Sequence, residues 1–137
     1  MHHASIRTAD IHRAMAFYEL LGFEVVERFT AGITLACWME GLGGRIELMQ
    51  VPEPQPAADA FGDEHYTGYY HLSLDLTQAV DSLPAWLGQL RQQAASNNTD
   101  LTVLLEPRQQ MIGAGVYEVA FIADADGLPL EFLRRLK

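Results

Sequence analysis

One stretch of this chain occurs twice, and that limits the fold more than anything else in it. Ala36-Cys-Trp-Met-Glu-Gly-Leu-Gly43-Gly-Arg-Ile46-Glu47-Leu-Met49 returns as Ala120-Phe-Ile-Ala-Asp-Ala-Asp-Gly-Leu-Pro-Leu-Glu-Phe-Leu133, 84 positions later. The two copies match at Ala36/Ala120, Gly43/Gly127, Ile46/Leu130, Glu47/Glu131 and Leu48/Phe132. Upstream, His3-Ala-Ser5-Ile6 returns as His71-Leu-Ser73-Leu74 after 68 positions. The offsets differ by 16 residues, which an indel in the intervening helix and loops absorbs. An internal duplication is the economical reading: each half opens on a histidine-bearing strand and closes on a glutamate-bearing one.

The pattern along the chain fits two β-α-β-β-β modules, an α+β fold. A strand is predicted over residues 2–8, where His3, Ser5 and Arg7 alternate with Ala4, Ile6 and Thr8. Asp10 caps a helix over 11–21 that buries Ile11, Ala14, Phe17, Tyr18 and Leu21, and Gly22 ends it. Strands follow over 23–29, 32–39 and 44–50. Residues 51–68, with three prolines, read as a linker. The second half repeats the order, with a strand over 69–76 and a helix over 83–95 capped by Ser82. Pro84 falls in that helix's first turn, where it is tolerated. Strands over 101–106, 115–123 and 128–134 complete it. Asp126-Gly127 between apolar runs is a hairpin signal, and Gly41-Leu-Gly-Gly44 is a turn, not a phosphate cradle. The 137 residues therefore form a single domain of two pseudo-repeats, 1–50 and 69–137.

Each sheet has one face under its helix and one left open. Strand parity places His3, Ser5 and Arg7 on the open face of the first half, and His71, Ser73 and Asp75 on that of the second. Glu47 and Glu131 take matching orientations. A carboxylate between two large apolar neighbours is costly unless partnered, so a metal ion or a basic group must neutralise Glu131. If the open faces meet in one cup, two imidazoles and two carboxylates converge, a donor set suited to a divalent transition metal rather than Ca²⁺ or Mg²⁺. His2 competes with His3, but the Ser-aliphatic register shared with His71 favours His3. His12 reads as solvated and His65 as a surface residue able to fold over the site. Arg7 is a candidate for anion binding or for an ion pair with an acid such as Asp75. Tyr66, Tyr69 and Tyr70 read as interface or core packing.

With a net charge of -9, nucleic-acid or anionic-membrane binding is not expected. No apolar run reaches the roughly 20 residues of a membrane span, and no charged-then-apolar leader is seen. The single cysteine, Cys37, suits a reducing compartment and reads as a small core residue, so a cytoplasmic location is expected.

His3 to Asp10 leading into Ala16-Phe-Tyr-Glu-Leu-Leu-Gly-Phe23, with Arg45-Ile-Glu-Leu48, Tyr70-His-Leu-Ser-Leu74 and Asp124-Ala-Asp-Gly through Leu130-Glu-Phe132, resembles the vicinal oxygen chelate superfamily. That group includes glyoxalase I, extradiol dioxygenases and bleomycin- and fosfomycin-resistance proteins. The resemblance spans essentially the whole chain and implies paired modules forming a metal-binding cup. The ligand order His3, Glu47, His71, Glu131 is nearest that of glyoxalase I (lactoylglutathione lyase). It implies Ni, Zn, Co, Mn or Fe, Glu131 as general base, and Glu47 holding the ion or returning the proton. Arg7 and Arg108 would bind the substrate, a small vicinal-oxygen compound such as a glutathione adduct. Val51 stands where glyoxalase I has an asparagine, so the metal centre carries over more firmly than the substrate. A homodimer is expected. The alternatives are an extradiol-type dioxygenase or epimerase on the same cup, and a non-catalytic small-molecule binding protein.

Overall fold

The computed structural model describes all of residues 1–137, which divide into two units, Met1–Ala57 and Ala58–Lys137. The first contains β1 (Ala4–Thr8), α1 (Ile11–Leu20), β2 (Glu24–Ala31), β3 (Thr34–Gly41) and β4 (Gly44–Gln50). The second contains β5 (Leu72–Asp75), α2 (Leu83–Ser96), β6 (Thr102–Ile112), β7 (Gly115–Ala123) and β8 (Pro129–Arg135). Each unit is one four-stranded sheet with one helix, and the strand orders, β1-β4-β3-β2 and β5-β8-β7-β6, are the same order repeated. The α+β fold with duplicated modules is therefore as the sequence predicts.

The duplication extends to the register. β1 runs parallel to β4 with Ser5 opposite Glu47 and Ile6 opposite Leu48, while β5 runs parallel to β8 with Ser73 opposite Glu131 and Leu74 opposite Phe132. Parallel neighbours need a long crossover, and in each unit the helix and two strands supply it. Alternation along β4 and β8 then separates the faces. Ile46, Leu48, Leu130 and Phe132 are at most 4% exposed, and Glu47 and Glu131 point the other way. Burying side chains such as Leu48 and Phe132 contributes about 1.5–3 kcal/mol each.

The helices are placed by their caps and apolar stripes. Asp10 accepts hydrogen bonds from the backbone N–H groups of His12 and Arg13, and Ser82 accepts one from Ala85. α1 buries Ile11, Ala14, Met15, Phe17 and Tyr18, and Tyr18 meets Phe23 edge to face at 5.6 Å. α2 buries Leu83, Leu87, Leu90 and Ala94, and Trp86 packs 4.6 Å from Phe132. Glu118 fastens the start of α2 to the sheet, accepting from the Leu83 N–H and from Arg134, whose Nε donates to the Val80 carbonyl. The β3–β4 connection is a two-residue turn with Leu42 at φ 49° and Gly43 at φ 79°, a hairpin geometry in which glycine relieves the strain.

Several boundaries differ from the sequence reading. β1 and β5 start at Ala4 and Leu72, so His3 and His71 stand one residue ahead of their strands rather than within them, in the same way in both units. β6 runs through Pro107 to Ile112 where a strand over 101–106 is predicted. It is an edge strand, and the register shifts between Leu105 and Arg108, so Pro107 sits at an irregularity where its missing N–H disrupts little. Residues 51–71 carry neither helix nor strand, so the break runs past residue 68, and the division between the units falls inside it.

The end of β5 has its own pH-sensitive lock. Asp75 accepts from both the hydroxyl and the N–H of Thr77, and the Thr77 hydroxyl in turn accepts from the Arg135 N–H on β8. These bonds hold the Asp75 carboxyl below the usual carboxylate range, against a smaller upward push from burial. A depressed carboxylate stabilises the fold above its unfolded pKa, and that stability is lost as pH falls through the folded value. Urea unfolding between pH 6 and about pH 3 should show the wild type losing part of its advantage over Asp75→Asn as the pH falls. A constant difference between the two across that window would be the contrary result.

Candidate functional site

The carboxylates on β4 and β8 are half-buried and hydrogen-bonded by serines from the parallel strand beside them. Ser5 Oγ donates to Glu47 Oε1 at 2.9 Å, and Ser73 Oγ donates to Glu131 Oε1 at 2.6 Å. The register alone explains this, because each serine lies directly opposite its glutamate. Each histidine, one residue ahead of the strand, brings Nε2 to the same oxygen: His3 to Glu47 at 3.5 Å and His71 to Glu131 at 3.4 Å. These separations exceed a hydrogen bond. Two donors each about 2.1 Å from one ion stand roughly 3.0–3.4 Å apart at octahedral to tetrahedral angles, so each pair is spaced to within about 0.1 Å of that range. An imidazole and a carboxylate are also the donor types such an ion takes. Each unit supplies two donors, and no group of three or more His, Cys, Asp or Glu gathers as a metal cradle.

The strand on the far side of each glutamate differs between the units. Trp38 on β3 lies opposite Glu47, and its Nε1–H donates to Oε2 at 3.0 Å. Phe121 on β7 lies opposite Glu131 and has no donor to offer. Burial pushes the Glu47 carboxyl up, but the hydrogen bonds from Trp38 and Ser5 and the nearby His3 and His2 outweigh it and hold it below the usual range. In the second unit His71 meets Phe121 edge-on at 5.0 Å, Tyr70 stacks on Phe121 at 6.1 Å and 22°, and Phe61 packs against it at 5.2 Å. Burial and the charge of Glu131 both raise the Tyr70 hydroxyl pKa, which keeps it protonated. His71 Nδ1 is buried with no hydrogen-bond partner.

Tyr70, itself exposed, thus borders the Glu131 pair instead of serving only packing, whereas Tyr66 and Tyr69 are more exposed still. His2 is a neighbour of His3, with Nδ1 atoms 2.8 Å apart, and its Nε2 is 2.6 Å from Arg45, itself bonded to Glu40. Arg7 lies two residues beyond Ser5 on the same strand face and is exposed. Arg108 is exposed on β6 opposite Val119. Asp75 is engaged by Thr77. His12 and His65 are exposed, and Cys37 is buried with its thiol pKa pushed up by burial, which leaves it unreactive. The serines and Trp38 have no role in the sequence reading. The two-residue turn at Leu42-Gly43 was the available signal, because a hairpin closed there sets Trp38 opposite Glu47.

No helix is long and apolar enough to cross a membrane. A comparison with curated proteins finds no match in sequence. Among solved structures the chain is similar to SMU.1112c, with 21% identity, a TM-score of 0.69 and coverage of 98% of this chain and 97% of that one. It is equally similar in fold to a glyoxalase family protein from Enterococcus faecalis, at 18% identity and a TM-score of 0.69, covering 98% and 96%. A glyoxalase I variant from Zea mays gives 18% identity and a TM-score of 0.68 over 100% of this chain and 45% of that one. Identities this low speak to the fold alone. The model of the Glyoxalase/Bleomycin resistance protein/Dioxygenase superfamily matches residues 1–132, and this chain belongs to that superfamily.

Proposed function

We propose that the chain is a divalent-metal-dependent enzyme of the glyoxalase I type, moving a proton between adjacent carbons of a small substrate with two vicinal oxygens, such as a 2-oxoaldehyde–thiol adduct. The observation that carries this reading is the duplicated trio of His, Ser and Glu, with the same register and nearly the same His–Glu separation in both units. His3, Glu47, His71 and Glu131 would hold a Ni, Zn, Co, Mn or Fe ion. The ion would supply Lewis acidity, stabilising negative charge on the substrate oxygens. Glu131 would take the carbon-bound proton from a half-buried, apolar-flanked position of the kind that favours a general base. Glu47 would keep its place as a ligand or return the proton to the adjacent carbon. Ser5 and Ser73 hold the two carboxylates in orientation, and Arg7 and Arg108 would face the substrate's anionic end.

Each unit offers two of the four proposed donors, His3 with Glu47 and His71 with Glu131. We propose that the chain forms a homodimer, and the single buried cysteine favours a cytoplasmic setting.

Purified protein should carry a transition metal measurable by plasma mass spectrometry, and combining His3→Ala with Glu131→Ala should remove it. Full metal retained in the double variant would overturn the site. With nickel, cobalt or zinc, methylglyoxal plus glutathione should yield a thioester, and Glu131→Gln should slow its formation about 10²–10⁴-fold. Oxygen uptake by the iron form with a catechol would move the reading to a dioxygenase. Silence in both assays, with a small molecule raising the melting temperature, would move it to a binding protein. Sedimentation at micromolar concentration should give about twice the 15.3 kDa chain mass, and a monomer at that concentration would contradict the dimer.

A further inference from the structure

The two glutamates are equally accessible, with side chains 14% and 15% exposed, yet they are not equally held. Glu47 accepts on both oxygens, from Ser5 and from Trp38. Glu131 accepts on one, from Ser73, and the aromatic ring opposite it is hydrocarbon. The difference therefore comes from the residue across the strand pair and not from solvent. Trp38 is itself hemmed in: His2 and Phe29 meet it edge to face at 5.1 and 5.2 Å, and Arg45 lies 5.6 Å over its ring. Its N–H has little room to turn away from Glu47.

We propose that Trp38 is a positioning residue that fixes Glu47 as the permanently seated carboxylate, leaving Glu131, opposite Phe121, as the one free to turn. This rests on the metal site proposed above. A carboxylate bonded on both oxygens resists the rotation that leaving an ion and collecting a proton requires. One bonded on a single oxygen pivots about that bond. The division of labour between two otherwise duplicated glutamates is thus set by one aromatic position, tryptophan in the first unit and phenylalanine in the second.

Trp38→Phe keeps the ring packing and removes only the donor. Titration calorimetry with Zn²⁺ should show affinity falling roughly 10- to 100-fold, the usual consequence of removing a group that orients a ligand. The indole N–H provides a readout that packing alone would not move. Of the two tryptophan indole signals in a ¹⁵N–¹H spectrum of the metal-free wild type, one should shift on Glu47→Gln, and the signal absent from Trp38→Phe identifies it as Trp38. Neither indole signal should shift on Glu131→Gln. Wild-type protein that binds Zn²⁺ together with a Trp38→Phe variant within twofold of it, or a Trp38 signal unmoved by Glu47→Gln, overturns the Trp38 assignment alone. Wild-type protein that takes up no Zn²⁺, Ni²⁺ or Co²⁺ overturns the functional reading and the metal role of Trp38 with it.

Discussion

A carboxylate set in the middle of an internal strand is the constraint to which the rest of this molecule answers. β4 and β8 each have strands on both sides and apolar side chains before and after the glutamate. An unpartnered charge there costs several kcal/mol, so partners must come from the adjacent strands. The parallel neighbour supplies a serine directly opposite. That contact favours the register of β1 on β4 and of β5 on β8, because a one-residue slip would face the glutamate with an aliphatic side chain and, in β1, turn Ile6 out of the core. The same register carries the preceding histidine to the carboxylate.

Having met the constraint twice, the chain departs from symmetry where symmetry is not needed. The helix faces of both units are closed by ordinary apolar packing, Tyr18 on Phe23 in one and Trp86 on Phe132 in the other. On the glutamate faces the antiparallel neighbour is a hydrogen-bonding aromatic in one unit and an apolar one in the other. Duplication produces two equivalent carboxylates, whereas the proposed acid–base chemistry would require two that behave differently. Changing the partner strand achieves this without disturbing the backbone of either unit.

Much of this was legible in the chain itself. Repeated His-x-Ser and Ile/Leu-Glu pairs indicated the modules, and parity put the site side chains on one face. What escaped was what depends on pairing between strands. The strand at Pro107 is invisible to a rule that proline ends strands, because only the finished sheet shows β6 to be an edge. Trp38 sits in an apolar run and reads as core until the hairpin turns it onto Glu47. The histidines read as strand residues, yet each stands just ahead of the first strand pair, at Ala4 and at Leu72. Periodicity places side chains on faces but does not say where hydrogen bonding begins.

Charge adds a last constraint, on what such a site admits. A net charge of -9 repels anions from the chain as a whole, so an anionic substrate must be met by cations placed locally. Arg45, Arg91 and Arg134 are each committed to a glutamate. Arg7 and Arg108 stand exposed on the strand faces that carry Glu47 and Glu131, Arg7 two residues past Ser5 and Arg108 opposite Val119. Under the function proposed above, selectivity for an anionic tail would depend on these two side chains and not on the field of the molecule. Since an exposed guanidinium can turn to suit its partner, in that reading they would meet negative charge and leave the reacting end of the substrate to the two duplicated trios of histidine, serine and glutamate.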